Sequence, residues 1–197
     1  MRPYYQTHAV GVLYLLVVLT WYILEIGQYL RQRQWRKGAT RIGPRGYLAA
    51  WGVCTIAAVT MLVLAPRIWP ATAIGHGAVA FAVGMVLLVA GAALRVWSFH
   101  ALGQYFTFTV KVSPDQPVVT AGPYGLVRHP GYAGGMLAMI GIGVLWGNWV
   151  TLATVTLLWL ALIIWRIHFE EGALLTTLDS RYSSYAAQHK RLVPLVW

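Results

Sequence analysis

The chain has 197 residues, of which 58% are hydrophobic and 10% charged, and it carries a formal net charge of +10. A soluble domain carries about a quarter charged residues, and here the apolar residues are gathered in long blocks, so a soluble globular domain is excluded and an integral membrane protein is expected. The basic excess clusters largely between and beside those blocks, which argues against nucleic acid as a partner and for charged loops at a membrane face.

Five apolar blocks follow in chain order: His8 to Leu30, Tyr47 to Ala65, Ile74 to Phe99, Tyr132 to Trp146, and Trp149 to Trp165. A helix needs about 20 apolar residues to cross the hydrocarbon, which the first three satisfy. The last two are shorter and are separated only by Gly147-Asn148, a turn signal, so they are expected to form a tight helical hairpin whose full crossing is left open. The expected fold class is thus an all-α membrane protein of about five transmembrane helices, a single integral membrane domain over residues 1–197. No cleavable signal peptide is expected, because the first block is too long for one. Cys54, the single cysteine, lies within the second block and reads as a small packing residue.

Charge sets the expected orientation. Of 15 basic residues, thirteen fall on one side of a five-span arrangement: six from Arg31 to Arg45, then Arg95, Lys111, Arg128, Arg166, Arg181, Lys190 and Arg191. Arg2 and Arg67 are left on the other. The positive-inside rule then puts the N-terminus outside and the C-terminus, with residues such as Arg36 and His189, in the cytosol; a bacterial inner membrane is the expected location. The first-loop cluster is also placed to meet anionic lipid headgroups.

The long polar interval from His100 to His129 includes the alternating run from Tyr105 to Val110, read as a short extended segment. Beyond Trp165 a helical period continues through Glu171, Leu174, Leu175, Leu178, Tyr182 and Tyr185, predicting an amphipathic helix folded over the cytoplasmic mouth and ending before Pro194. Glu25 and Arg95 lie near the ends of their blocks on the same side and are expected to pair, since charges in a membrane find partners. The remaining histidines lack ligand spacing, and no metal site is expected.

Two polar clusters carry chemistry. The first is Gly122-Pro123-Tyr124-Gly125-Leu126-Val127-Arg128-His129-Pro130-Gly131-Tyr132, at the threshold of the fourth block. Pro130 suits the first turn of a helix, whose free amides beyond it attract carboxylates and phosphates. His129 and Tyr132, three residues apart, would flank that opening. The second cluster is Arg166 with Glu170 and Glu171, where the fifth block ends. Arg166 and Glu170 are one turn apart on a helix, and Glu171 is turned by about 100°. Taken singly, these clusters also read as a plain helix start with interfacial aromatics and as a solvated juxtamembrane acidic pair.

Taken in order, the pieces resemble the isoprenylcysteine carboxyl methyltransferase family, integral membrane methyltransferases that use S-adenosylmethionine. They are Leu102-Gly103-Gln104-Tyr105-Phe106-Thr107, Val119-Thr120-Ala121-Gly122-Pro123-Tyr124, Arg128-His129-Pro130-Gly131-Tyr132-Ala133-Gly134, Glu170-Glu171, Tyr182 with Tyr185, and Arg191-Leu192-Val193-Pro194. The resemblance covers residues 95–197 and implies that this half binds the cofactor. It implies a pocket lined by Gln116, Pro117, Val118, Val119, Tyr124, His129, Pro130, Gly131, Tyr132 and Glu170, with Arg166 facing the methyl acceptor and Arg166, Glu170 and His129 as the catalytic set. The chemistry is compatible: aromatic faces suit a sulfonium cation, helix-start amides and His129 suit a carboxylate, and Glu170 can accept from amine or ribose donors. Three departures stand out. Gly125 replaces a common arginine, Asp179 holds a position usually glycine, and the N-terminal half shows no match.

The expected function is methyl transfer from S-adenosylmethionine to a lipophilic acceptor at the cytoplasmic face, the acceptor being a carboxylate such as a prenylcysteine, or a lipid phenol or amine. A carboxylate acceptor needs no general base; a phenol or amine needs one, and Glu170, Glu171 and His129 are the nearby groups. Two other readings remain open at this point. One is a membrane NADPH-dependent reductase of the sterol-reductase type, which shares an Arg-His-Pro-x-Tyr turn but tends to carry asparagine where this chain has Gly131. The other is a non-catalytic transport or assembly protein.

Overall fold

The computed structural model describes residues 8–35, 46–75, 77–106, 112–194 and 197, which are mainly helical. The helices are α1 (His8–Trp35), α2 (Tyr47–Ile68), α3 (Gly77–Leu102), α4 (Pro130–Leu145), α5 (Trp149–Leu178) and α6 (Ser180–Gln188). Among the described residues, three helices are long and apolar enough to cross a membrane, over Ala49–Ile68, Gly77–Tyr105 and Trp149–Leu178, and Pro130–Leu145 is a shorter apolar helix. Apolar side chains such as Val53, Ile56, Val59 and Val63 of α2 point outward, the surface that lipid covers in a membrane protein.

Helices α3 and α4 lie backbone against backbone. A Cβ added to Gly91 would come within 2.5 Å of the Ala138 nitrogen and the Gly134 oxygen, and one added to Gly141 within 2.6 Å of the Leu88 nitrogen. Gly84 and Gly91 on α3 thus face Gly134, Ala138 and Gly141 on α4, the small-residue contact by which membrane helices gain dispersion energy without a hydrophobic drive. Phe81, Leu88, Ala138 and Leu145 fill the seam beside it.

The turn between α4 and α5 is Gly147-Asn148. Gly147 takes φ +66°, the left-handed conformation glycine adopts freely. Asn148 caps α5, its Oδ1 accepting from the amides of Val150 and Thr151 at 3.0 and 3.1 Å. Its Nδ2 donates to Thr72 Oγ1 at 2.9 Å and to the Trp69 carbonyl at 3.3 Å. The hairpin turn is therefore fastened to the α2–α3 connection, and the Ile74 amide adds a bond to the Gly147 carbonyl at 2.8 Å.

The helix of the fifth block runs past Trp165 to Leu178, 30 residues in all, as the helical period beyond Trp165 predicts. Its partner α4 has 16 residues, about 24 Å, short of the ~30 Å hydrocarbon thickness. One expectation is corrected: the tail helix does not continue smoothly from Glu171 to Tyr185. It breaks at Asp179, a non-glycine residue held at φ +46°, and Leu175 turns outward while Glu171, Leu178, Tyr182 and Tyr185 stay buried. The helix α6 is amphipathic, burying Tyr182 and Tyr185 and exposing Arg181, Ser183 and Ser184.

At the opposite end of the bundle from the hairpin turn, Glu25 and Arg95 pair as the sequence led us to expect, through two hydrogen bonds that join α1 to α3. Arg95 Nη1 also donates to the Gly131 carbonyl at 2.8 Å, fastening the start of α4. Of the extended run expected from Tyr105 to Val110, Tyr105 lies in a short 3₁₀ turn and Phe106 is buried; Thr107 to Val110 lie outside the described residues, as do Arg36 and most of the basic first loop.

Candidate active site

The chain gathers its polar residues around the start of α4. Pro130 takes the first helical position, with His129 as the residue before it. The amides of Tyr132 and Ala133 both bond to the His129 carbonyl, at 3.0 and 3.1 Å. Pro130 has no amide, so Gly131 supplies the turn's one amide without a backbone partner among the described residues. The several free first-turn amides expected from the sequence reduce to this one.

The C-terminal segment clamps the turn from outside. The Arg128 and His129 amides donate to the Lys190 and Arg191 carbonyls at 2.8 and 2.9 Å. Leu192 packs against Ile163 and Ile167 of α5. From α6, the Tyr185 hydroxyl donates to the Tyr124 carbonyl at 2.7 Å.

The two adjacent carboxylates of α5 have different partners. Glu171 is buried, and its Oε1 lies 3.1 Å from both Arg128 Nη1 and His129 Nε2, while Oε2 lies 2.9 Å from Arg191 Nε. One carboxylate thus ties α5 to the helix-4 start and to the tail. Glu170, one residue earlier, accepts instead from the Tyr132 hydroxyl, and that hydroxyl accepts in turn from Arg166 Nε. The Arg166 guanidinium also lies over the Tyr47 ring of α2, 5.1 Å from its centre, and 5.7 Å from that of Tyr132.

These elements enclose a cavity of about 790 Å³, counting its open mouth. Gln116, Pro117, Val118, Val119, Tyr124, His129, Gly131, Tyr132 and Glu170, all named from the sequence, line it. Pro130 does not; it is buried behind the lining as the first residue of α4. Arg166 does not line it either; it bonds to the lining residue Tyr132. His129 lines it, but its Nε2 is turned to Glu171 and its ring stacks on Tyr132 at 5.5 Å. That engagement leaves His129 less suited to a ligand carboxylate than its sequence position implied.

Sequence reasoning missed part of the wall, including Phe106, Val112, Arg128, Leu178, Tyr182 and Tyr185. The signal for Leu178, Tyr182 and Tyr185 was present in their shared helical face, and that for Phe106 and Arg128 in the motif pieces that contain them; Val112 had none, since it arrives by a loop. Burial, and then the neighbouring carboxylates, hold the Tyr182 hydroxyl well above the usual tyrosine range. Burial and Glu170 do the same to Tyr124, and burial pushes Tyr185 up to about 12. All three phenols stay protonated at neutral pH and can donate hydrogen bonds.

Three comparisons bear on this arrangement. The model of the isoprenylcysteine carboxyl methyltransferase (ICMT) family matches residues 82–176. A probable protein-S-isoprenylcysteine O-methyltransferase of Oryza sativa subsp. indica is 28% identical over 116 residues, 58% of this chain and 61% of that protein. The protein-S-isoprenylcysteine O-methyltransferase of Schizosaccharomyces pombe is 34% identical over 116 residues, 55% of this chain and 47% of that protein. The matched part of the chain therefore spans 61% and 47% of the length of these two relatives. A solved structure titled as the eukaryotic intramembrane Ras methyltransferase ICMT shares the fold, with a TM-score of 0.62 over 74% of this chain and 52% of that one at 24% identity.

Proposed function

We propose that this chain, which belongs to the isoprenylcysteine carboxyl methyltransferase family, moves a methyl group from S-adenosylmethionine to a lipophilic acceptor at the cytoplasmic membrane face. The observation that carries the reading is the meeting, at one cavity, of the Gln116–Val119 loop, the helix-4 start and Glu170, with Arg166 set behind Tyr132 beside them.

The residues present fit the cofactor. The cavity is lined by both apolar and polar side chains. Its wall combines aromatic faces for a cation with a carboxylate at Glu170 for amine or hydroxyl donors. When bound, the cofactor supplies an electrophilic methyl group on a sulfonium.

The chain's own part is alignment and exclusion of water. Tyr132 forms the partition: one face lines the cavity, and its hydroxyl holds Arg166 on the other side. Arg166 orients the acceptor, and its planar fork suits a carboxylate best. A carboxylate acceptor is already nucleophilic; for a phenol or amine, Glu170 is the group able to take the proton, passing Tyr132 on the way. The acceptor reaches Arg166 from the lipid and the cofactor enters from the cytosol, with α1 starting outside and the tail ending inside. The prenylcysteine acceptors named for the relatives make a prenylated carboxylate the first acceptor to try.

The test is to incubate purified protein with methyl-labelled S-adenosylmethionine and, separately, a prenylcysteine, a lipid phenol and a lipid amine. Label in a lipid-soluble product from one of them is expected. No transfer to any of the three by protein that binds no S-adenosylmethionine would remove the reading.

A further inference from the structure

Glu25 and Arg95 form an ion pair whose side chains are only 17% and 13% exposed, and Arg95 lies within the apolar stretch Gly77–Tyr105. Taking two charges out of water offsets most of their attraction, and apolar side chains of similar volume hold helices together about as well. The pair therefore adds little as a fastener between α1 and α3. Its use lies in where it directs the arginine.

One Glu25 oxygen accepts from Arg95 Nε and the other from Nη2, the latter at 3.0 Å. A two-point grip of this kind fixes the plane of a guanidinium, and the fixed plane turns Nη1 to the Gly131 carbonyl at 2.8 Å. Gly131 lines the cavity. The bed for the arginine is the glycine face of α4: a Cβ at Gly134 would lie 2.8 Å from the Arg95 amide nitrogen, and one at Gly135 3.5 Å from Nη1. The same guanidinium covers the Phe99 ring, 4.9 Å from its centre, and Phe99 packs on Phe106 with ring centres 4.2 Å apart. Phe106 lines the cavity too. One side chain thus supports two walls of the cavity without lining it.

We propose that Glu25 and Arg95 are positioning residues for the cavity: Glu25 orients the guanidinium, and the guanidinium sets the Gly131 carbonyl and, through Phe99, the Phe106 ring. The assignment rests on the methyltransferase reading and goes beyond it, because it gives α1, which lies outside the residues that the family model matches, a part in the site. Neither residue touches the ligand. A displaced α4 start or Phe106 ring changes the shape of the cavity, and affinity follows, since a binding site tolerates little displacement of its walls.

The experiment measures equilibrium binding of S-adenosylmethionine and the thermal unfolding midpoint of the full-length protein in detergent, for the unaltered chain, the double variant Glu25→Leu/Arg95→Met, and Arg95→Lys. The double substitution removes both charges together and keeps the volume filled, so its midpoint should stay within a few degrees while affinity falls about tenfold. Lysine keeps the pair with Glu25 but has no fork to reach Gly131 as well, and a loss of about threefold is expected; it decides the matter should the double variant fail to fold. Affinity unchanged in the folded variants, or lost only where the midpoint falls with it, would make the pair a tie between helices and overturn the proposal, while the methyltransferase reading stands. If the unaltered chain binds no S-adenosylmethionine, that reading falls and the positioning role with it.

Discussion

Arg166 and Glu170, one turn apart on α5, meet through a single hydroxyl: Tyr132 of α4 accepts from Arg166 Nε and donates to the Glu170 carboxylate. The link joins the two sides of the cleft, and its members can be separated by substitution.

Replacing Arg166 by alanine should leave S-adenosylmethionine affinity within a few-fold while turnover falls by about a hundredfold or more, because the guanidinium does not line the cavity and bonds to Tyr132, which does. Lysine should restore activity in part, since an ammonium lacks the planar fork. Affinity and turnover measured on one preparation check this; an Arg166→Ala protein that is folded but binds no cofactor would move Arg166 to the cofactor side.

Glu171 is a structural group in this account. Its carboxylate is shared by Arg128, His129 and Arg191, so Glu171→Ala leaves two buried or half-buried guanidiniums without their counter-charge. Breaking a buried pair in this way costs about 3–5 kcal/mol, and thermal unfolding in detergent should show a clear fall in midpoint. An unchanged midpoint would mean that the cluster is solvated.

The α3–α4 seam predicts a contrast between glycines. Gly91→Ala places a methyl 2.5 Å from the backbone of Ala138 and Gly134, which should cost about 1–3 kcal/mol through overpacking. Gly172→Ala on α5, where no atom outside its own helix backbone lies within 4 Å, should be neutral or stabilising by up to about 1 kcal/mol. Equal effects of the two would contradict the seam.

Asp179 sits at φ +46° between α5 and α6. A residue with a Cβ held in a sparsely populated region stores about 1–3 kcal/mol, and Asp179→Gly should recover part of it as a higher unfolding midpoint. Removing the carboxylate costs no contact at that position, whose bonds in the structure are made by its backbone, the amide to Leu175 and the carbonyl to Ser183.

Much of this arrangement is legible in the residue pattern, and what is not has physical causes. The Gly147-Asn148 turn, Pro130 at a helix start and the Glu25–Arg95 pair follow from local chemistry and spacing. The continuation of α5 past Trp165 follows from the helical period there, although hydropathy falls at Arg166; the partners that Glu171 and Arg166 find, His129 and Tyr132, lie 42 and 34 residues away in the chain and are not readable from it. The division of labour between Glu170 and Glu171 is likewise invisible in sequence. Their side chains differ by one rotation of about 100°, and that rotation directs one toward Tyr132 and the other toward Arg128, His129 and Arg191. Asp179 stands out by its residue type, while the break in the helix there and the exposure of Leu175 needed the structure.

The orientation can be read with cysteine substitutions in a Cys54→Ala background. His189→Cys should resist an impermeant thiol reagent in intact cells, and Gly75→Cys, at the exposed turn between α2 and α3, should react. The reverse pattern would place the tail outside and the proposed cofactor route with it.

The central claim is that the cavity between the Gln116–Val119 loop, the helix-4 start and Glu170 binds S-adenosylmethionine. Equilibrium binding of S-adenosylmethionine to the purified protein, compared with Glu170→Gln, tests it most directly. The account predicts saturable binding by the unaltered chain and a roughly ten- to hundredfold weaker affinity for Glu170→Gln, the loss expected for one charged hydrogen bond of about 1.5–3 kcal/mol. Saturable binding of equal strength by a folded Glu170→Gln protein, or no binding by the unaltered chain, would contradict it.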